Sequence, residues 1–222
     1  MSQLIETSLG TAPALLLREF SHRIGNEFAS AVGAISLAAA RSRNIEVKST
    51  LAAVEDLLHN YACVHRCLRM PEHDLWIDAT RYLRELCRAV SRSKLDGRDI
   101  KLVLAEHQVG MDAARCWRLG LIVSELITNS TRHAFAGRAG SIRVELTASA
   151  TSYKCVVTDN GRGTRPVRPG HGLGVINALA TGLEGSLSQK FGPHGSTSLL
   201  IFPIEMGSAS PRRPRGVARV AR

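Results

Sequence analysis

The sequence contains no apolar run approaching the roughly eighteen residues that a membrane-spanning helix requires. Its opening stretch, MSQLIETSLGTAPALLLREF, has no basic segment ahead of its short apolar part and turns charged at Arg18 and Glu19, so it does not read as a signal peptide. No membrane span and a cytoplasmic location are therefore expected. The chain also lacks a CxxC pair. Its five cysteines, Cys63, Cys67, Cys87, Cys116 and Cys155, are odd in number and lie in periodic segments, which fits reduced thiols rather than a disulfide framework. His59, Cys63 and Cys67 recur at helical spacing, but a tetrahedral site needs a fourth ligand that the pattern does not supply. A GxxxxGK[ST] stretch is missing too, which excludes a Walker-type phosphate loop.

What is present is a globular balance, 44% apolar and 22% charged, which excludes a disordered or fibrous chain. The net charge of +10 would ordinarily raise nucleic acid as a partner. Its distribution argues against that, because Arg212, Arg213, Arg215, Arg219 and Arg222 all lie in the tail SPRRPRGVARVAR. That tail has two prolines and no apolar periodicity, so residues 206–222 are expected to be disordered and solvated.

Hydrophobic periodicity divides the rest. After a tail over residues 1–11, Phe20, Ile24, Phe28, Ala31 and Ile35 mark a long amphipathic helix from about Ala12 to Arg41. A second helix begins near Val47, carries Val54, Leu57, Tyr61, Val64 and Leu68 as its stripe, and stops at Met70 before Pro71. Residues 12–71 thus form an antiparallel hairpin whose stripes need a partner, either a second hairpin in a four-helix bundle or the following domain. Dimerisation is the preferred expectation. Over residues 72–205 the order becomes helix, strand, helix, two strands, loop, helix, two strands. Mixed hairpins and crossovers of this kind predict an α+β domain, a two-layer α/β sandwich with helices on one face of a mixed sheet.

Four places in this pattern can carry chemistry. At about 100° per residue, His22 lies about 200° from Phe20, with Asn26 about 40° and Glu19 about 60° from it, both to the same side. An exposed neutral imidazole beside a carboxylate and an amide is a competent nucleophile, although the same residues also suit an ordinary solvated face. On the helix that Asp112 caps and that runs to Ala134, Cys116, Leu119, Val123, Leu126 and Ser130 can face the core. That leaves Glu125 and Asn129 one turn apart as possible oxygen ligands for Mg²⁺. In VVTDNGRGT, Asp159 ends a strand where it can accept from an adenine amino group, while Gly161 and Gly163 let the backbone approach a ligand. Finally GHGLG, from Gly170 to Gly174, opens a helix whose amides suit phosphate, with Arg162, Arg165, Arg168 and His171 around it. Alone, each of the last three also fits a turn or a surface.

In this order, however, E-x-x-x-N on a helix, strand-DNGxG, loop, GxGLG-helix and GxT-strand (Gly195 to Thr197) resemble the boxes of the GHKL, or Bergerat, ATP-binding fold. LGLIVSELITNSTRHAF is similar to the asparagine box of one subgroup of bacterial sensor histidine kinases, the HWE/HisKA-2-like kinases. EFSHRIGNEFA matches that subgroup's H-R-x-x-N phosphoacceptor box at Glu19, His22, Arg23 and Asn26. The likeness runs from about Leu16 to Pro203. It implies Mg-ATP as the nucleotide, His22 as phosphoacceptor, Glu19 as its proton acceptor, and Asn26 as a residue linked to dephosphorylating the partner. It further implies Glu125 and Asn129 on the Mg²⁺ and phosphate side, Asp159 against adenine, Gly161, Gly163, Gly172 and Gly174 shaping a lid, and Thr197 near the adenine. Arg132, His133, Gly170 and Leu173 belong to the same implied nucleotide site.

The implied activity is a two-component histidine kinase that passes its phosphoryl group to an aspartate of a response-regulator receiver domain. The implied assembly is a homodimer. Fewer than about twenty residues precede the phosphoacceptor box, so input is expected from a separate sensor protein. The alternative is a histidine phosphotransfer or scaffold protein that receives phosphate from a partner. A GHKL kinase acting on a serine of an anti-sigma partner should lack the phosphoacceptor helix. Gly25 stands where the subgroup has lysine, and a glycine inside a helix costs about 1 kcal/mol relative to alanine.

Overall fold

A computed structural model describes residues 3–71, 76–105, 107–162 and 171–204 of the chain. The basic tail and the glycine-arginine loop before His171 lie outside them. Two helices come first, α1 (Gln3–Arg41) and α2 (Ile45–Cys67). Helix α1 begins nine residues ahead of the apolar periodicity at Ala12, because helical backbone propagates through residues that add no stripe of their own. The Asn44 side chain accepts from the Glu46 and Val47 amides, so the residue read as part of a polar connection is the N-cap of α2. Ser36 Oγ donates to Glu55 Oε1 at 2.8 Å and ties the two helices together.

The hairpin stripes meet two fates. At the C-terminal end of α2, Val64 is buried and Cys63, Cys67 and Leu68 pack on the core of the following domain. Along the rest of the pair, Phe20, Ile24, Leu37, Val54, Leu57 and Tyr61 remain exposed. An apolar face of that extent on one hairpin is unusual for a surface that meets only water.

The remaining elements are β1 (Trp76–Asp78), α3 (Ala79–Val90), a π-helical turn (Ser91–Leu95), β2 (Ile100–Ala105), β3 (Gly110–Asp112), α4 (Ala113–His133), β4 (Gly140–Ala148), β5 (Ser152–Asp159), α5 (His171–Thr181), β6 (Ser186–Gly192) and β7 (Gly195–Pro203). The large sheet has the order β2-β4-β5-β7-β6, with β2 and β4 parallel and every other neighbour antiparallel. Helices α3, α4 and α5 cover one face, which gives the α+β two-layer sandwich with a mixed sheet. Ile142, Val144 and Leu146 from β4, Tyr153, Cys155 and Val157 from β5, and Leu200 and Phe202 from β7 bury themselves against them. Two short strands, β1 and β3, pair in a separate antiparallel ribbon that the alternation pattern does not reveal. Three residues each are too few to express a period of two.

Helix α4 starts where Asp112 accepts from the Ala114 and Arg115 amides. Two donors bolt the hairpin to this domain. The Trp117 indole N–H donates to the Leu68 carbonyl at 2.8 Å, and the Tyr82 hydroxyl to the Cys67 carbonyl at 3.0 Å. Burial raises the Tyr82 hydroxyl's pKa well above its ordinary value, which keeps it a donor.

Candidate nucleotide site and the exposed histidine

Asp159 is the last residue of β5 and only 7% exposed. A buried carboxylate must be compensated by donors, and four surround this one. Oδ1 accepts from the Gly161 amide at 3.0 Å and the Ser196 amide at 3.2 Å, while Oδ2 accepts from Ser130 Oγ at 2.9 Å and Ser196 Oγ at 2.5 Å. The DNG turn is in turn fastened to the end of α4. The Arg162 amide donates to the Ala134 carbonyl at 2.8 Å, and a Cβ at Gly161 would run into Ala134. Asn160 Oδ1 accepts from the Ser141 amide at 2.7 Å, which pins the start of β4 beside it.

Glu125 and Asn129 both lie half-buried on α4, one turn apart, while Leu126, Ile127 and Thr128 between them are buried. The first turn of α5 closes on this ridge, since a Cβ at Gly172 would fall on Glu125 Oε1. Gly172 and Glu125 are thus brought together, and no side chain larger than hydrogen fits at 172 without moving the carboxylate. Gly174 is exposed with nothing within 4 Å of where a Cβ would stand, and Leu173 is half-buried. Arg132 and His133 are exposed in the last turn of α4. Gly163 and Gly170 lie outside the described residues.

Two placements come from the tertiary structure. Thr197 pairs with Thr158 and Ser196 with Asp159, so alternation along β7 puts Thr197 on the sheet face opposite the carboxylate and Ser196 on the same face. Ser130, which helical spacing directs at the core, is instead half-buried at its edge and bonds Asp159. Ser196 was legible only from a register that the sequence does not state. Lys94 lies outside every quoted motif. Its Nζ donates to Thr128 Oγ1 at 2.6 Å from the π-helical turn, and burial lowers its pKa despite the nearby Glu125 carboxylate.

Two oxygen donors at Glu125 and Asn129, beside a backbone cleared of side chains at Gly172, fit a hard cation such as Mg²⁺. Among the described residues no group of three or more His, Cys, Asp or Glu gathers as a metal cage. A Mg²⁺ ion on these two would draw its other ligands from phosphate oxygens and water.

On the hairpin, His22, Glu19 and Asn26 share the exposed side of α1. Glu19 is engaged with Arg23, Nε to Oε1 at 3.0 Å, an exposed pair of small energetic weight. The group that meets the imidazole comes from beyond the end of α2. Arg69 Nη2 lies 2.6 Å from His22 Nε2 and 3.1 Å from Nδ1, in a shallow recess lined by Arg18, Ser21, His22, Arg69 and Met70.

A family described as the histidine kinase-like ATPase domain matches residues 47–196. "Sensor histidine kinase PdtaS" of Mycolicibacterium smegmatis is 27% identical over 213 residues, 90% of this chain and 40% of that protein. "Blue-light-activated histidine kinase 2" of Erythrobacter litoralis is 28% identical over 199 residues, 85% of this chain and 57% of that one. The chain therefore spans about half the length of these curated relatives. Among solved structures, the histidine kinase domain of the Erythrobacter litoralis EL346 blue-light activated histidine kinase superposes with a TM-score of 0.57 at 21% identity, covering 81% of this chain and 96% of that one. At that identity the superposition speaks for the fold.

Proposed function

Because this chain belongs to the histidine kinase-like ATPase domain family, we propose that it is an ATP-dependent histidine kinase of the HWE/HisKA-2-like subgroup that phosphorylates its own His22. The observation that carries this reading is the meeting of three sequence-distant segments. The α4 ridge with Glu125 and Asn129 meets the buried Asp159 at the end of β5 through Ser130, and Gly172 at the start of α5 through Glu125, on a chain whose preceding hairpin exposes a histidine.

In this reading the Asp159 carboxylate accepts from the adenine amino group, with Ser130 and Ser196 holding it in place. Glu125 and Asn129 hold Mg²⁺, which neutralises phosphate charge when bound. Arg132, His133 and the amides at the start of α5 add donors on the phosphate side, with Gly161, Leu173 and Gly174 bounding the nucleotide. Positioning and charge neutralisation supply most of the rate enhancement in phosphoryl transfer. The phosphoryl group then passes from His22 to an aspartate of a receiver domain, with Asn26 as the residue that favours dephosphorylation of that partner by water. The exposed apolar face of the hairpin supports a homodimer joined as a four-helix bundle, and the signal enters through a separate input protein or segment. No described helix is long and apolar enough to cross a membrane.

Incubation with γ-labelled ATP and Mg²⁺ should yield an acid-labile phosphoprotein, lost in His22→Ala. Undiminished labelling of that variant would refute the assigned acceptor. A failure to bind Mg-ATP in calorimetry would instead favour the phosphotransfer or scaffold reading.

A further inference from the structure

The α4 ridge of Glu125 and Asn129 has a cation on one flank. At about 100° per residue, Asn129 stands about 40° to one side of Glu125 and Ser130 about 140° to that side, while Arg132 and Thr128 stand about 20° and 60° to the other. Ser130 joins the helix to Asp159, its Oγ donating to Oδ2 at 2.9 Å. Thr128 joins it to Lys94, whose Nζ donates to Thr128 Oγ1 at 2.6 Å. Asp159 and Lys94 therefore flank the same ridge on opposite sides, with Asn129, Glu125 and Arg132 between them.

The π-helical turn Ser91–Leu95 buries Ser93 and Leu95 on either side of the half-buried Lys94, which fixes where the lysine leaves the backbone. Thr128 donates its own proton to the Ser124 carbonyl at 2.7 Å, so its oxygen meets the ammonium with a lone pair. An ammonium has three donors. Among the described residues Thr128 is the one hydrogen-bond partner of Lys94, and that partner is neutral. A partly buried cation is costly until an anion meets it. Burial accordingly lowers its pKa, the Glu125 charge acts next and in the opposite direction, and the Arg132 charge adds to the lowering. Both of those charges belong to the ridge, so the ammonium stands beside it.

We infer that Lys94 is a phosphate-binding residue, taking the terminal phosphates of a nucleoside triphosphate whose adenine lies on Asp159 and whose phosphate chain crosses the α4 ridge. This role rests on the nucleotide reading above and adds to it a residue and a direction. Adenine on one flank leaves the far end of the ligand to the other, where Lys94 stands. The terminal phosphate oxygens are anionic acceptors, and they suit the ammonium donors that Thr128 does not use. Arg132 is exposed on the same side, whereas Lys94 is half-buried, and a charge partly withdrawn from water is less screened than one at the surface.

The test compares the full chain with Lys94→Met and, as a control of equal charge change at an exposed position on β2, Lys101→Met. Dissociation constants come from displacement of a fluorescent ATP analogue, which reaches weak competitors such as adenosine. Loss of one charged hydrogen bond to phosphate should weaken Mg-ATP about tenfold in Lys94→Met, leave adenosine within about twofold of wild type, and leave Lys101→Met unchanged for both. A merely structural role in seating α4 would weaken adenosine and Mg-ATP by the same factor. Such an equal loss, or wild-type Mg-ATP affinity in Lys94→Met, overturns the assignment. A second measurement needs no variant. Modification of the wild-type chain by acetic anhydride, read by peptide mass spectrometry, should slow at Lys94 but not at Lys101 under saturating Mg-ATP, and should not slow with adenosine. Unprotected Lys94 in a chain that binds Mg-ATP, or equal protection by adenosine, overturns the assignment and leaves the nucleotide reading standing, whereas a wild-type chain that binds no Mg-ATP overturns both. Protection and the tenfold loss without acid-labile labelling of the chain uphold Lys94 and refute the histidine kinase reading instead.

Discussion

Replacing Asp159 with asparagine and with alanine should separate the carboxylate's structural work from its ligand work. Oδ1 faces two backbone amides, those of Gly161 and Ser196, which can only donate. Oδ2 faces two hydroxyls, Ser130 and Ser196, which rotate and can accept as readily as donate. In Asp159→Asn the amide oxygen can take the Oδ1 place and the NH₂ group the Oδ2 place, so all four bonds are remade without charge. The cost is about 1 kcal/mol, or roughly 2 to 4 °C in Tm for a chain of this size. In Asp159→Ala both backbone amides lose their partner, at about 1 to 3 kcal/mol each, and Tm should fall further. For nucleotide the order differs. Adenine's amino group needs an acceptor, and in Asp159→Asn either orientation sets donor against donor, at the ligand or at Gly161 and Ser196. Binding of Mg-ATP by calorimetry should weaken roughly tenfold to a hundredfold in a protein that remains folded. Wild-type affinity in Asp159→Asn, or a smaller drop in Tm for alanine than for asparagine, would refute the reasoning.

Two further outcomes follow from the sheet and from the hairpin. Ser196→Ala removes one of the hydroxyls on Asp159 Oδ2 and should lower Tm by about 2 to 4 °C while weakening Mg-ATP, whereas Thr197→Ala, on the opposite face, should leave the calorimetric Kd unchanged. Gly25 has nothing within 4 Å of where its Cβ would stand, so Gly25→Ala should stabilise α1 by about 1 kcal/mol, visible as a higher urea midpoint at constant m.

The legible part of this protein is what local chemistry controls. Helix periodicity located both hairpin helices and α3, α4 and α5. Alternation located the five strands of the large sheet, and Asp112 announced the start of α4, because a cap, a period and a turn each involve residues a few positions apart. The ordered boxes around Glu125, Asn129, Asp159 and Gly172 were readable for the same reason, as short strings on predictable elements. The extra helical residues before Ala12 and the ribbon of β1 and β3 were not, since neither carries a pattern of its own.

By itself the sequence determined the order of the hairpin, the later helices and the five strands of the large sheet, the mixed two-layer architecture, and the residue types that can meet a nucleotide or carry a phosphoryl group. Only the tertiary structure decided which partners they meet. Register along β7 brought Ser196 rather than Thr197 to Asp159. Packing of β5 against the last turn of α4 turned Ser130 from a core residue into a carboxylate donor, and the return of α2 beside α1 set Arg69, not Glu19, on His22. These are contacts between residues 29 to 47 positions apart. Short-range periodicity specifies each element's own geometry, whereas such contacts depend on the relative placement of elements, which burial of the shared core selects for the whole chain at once.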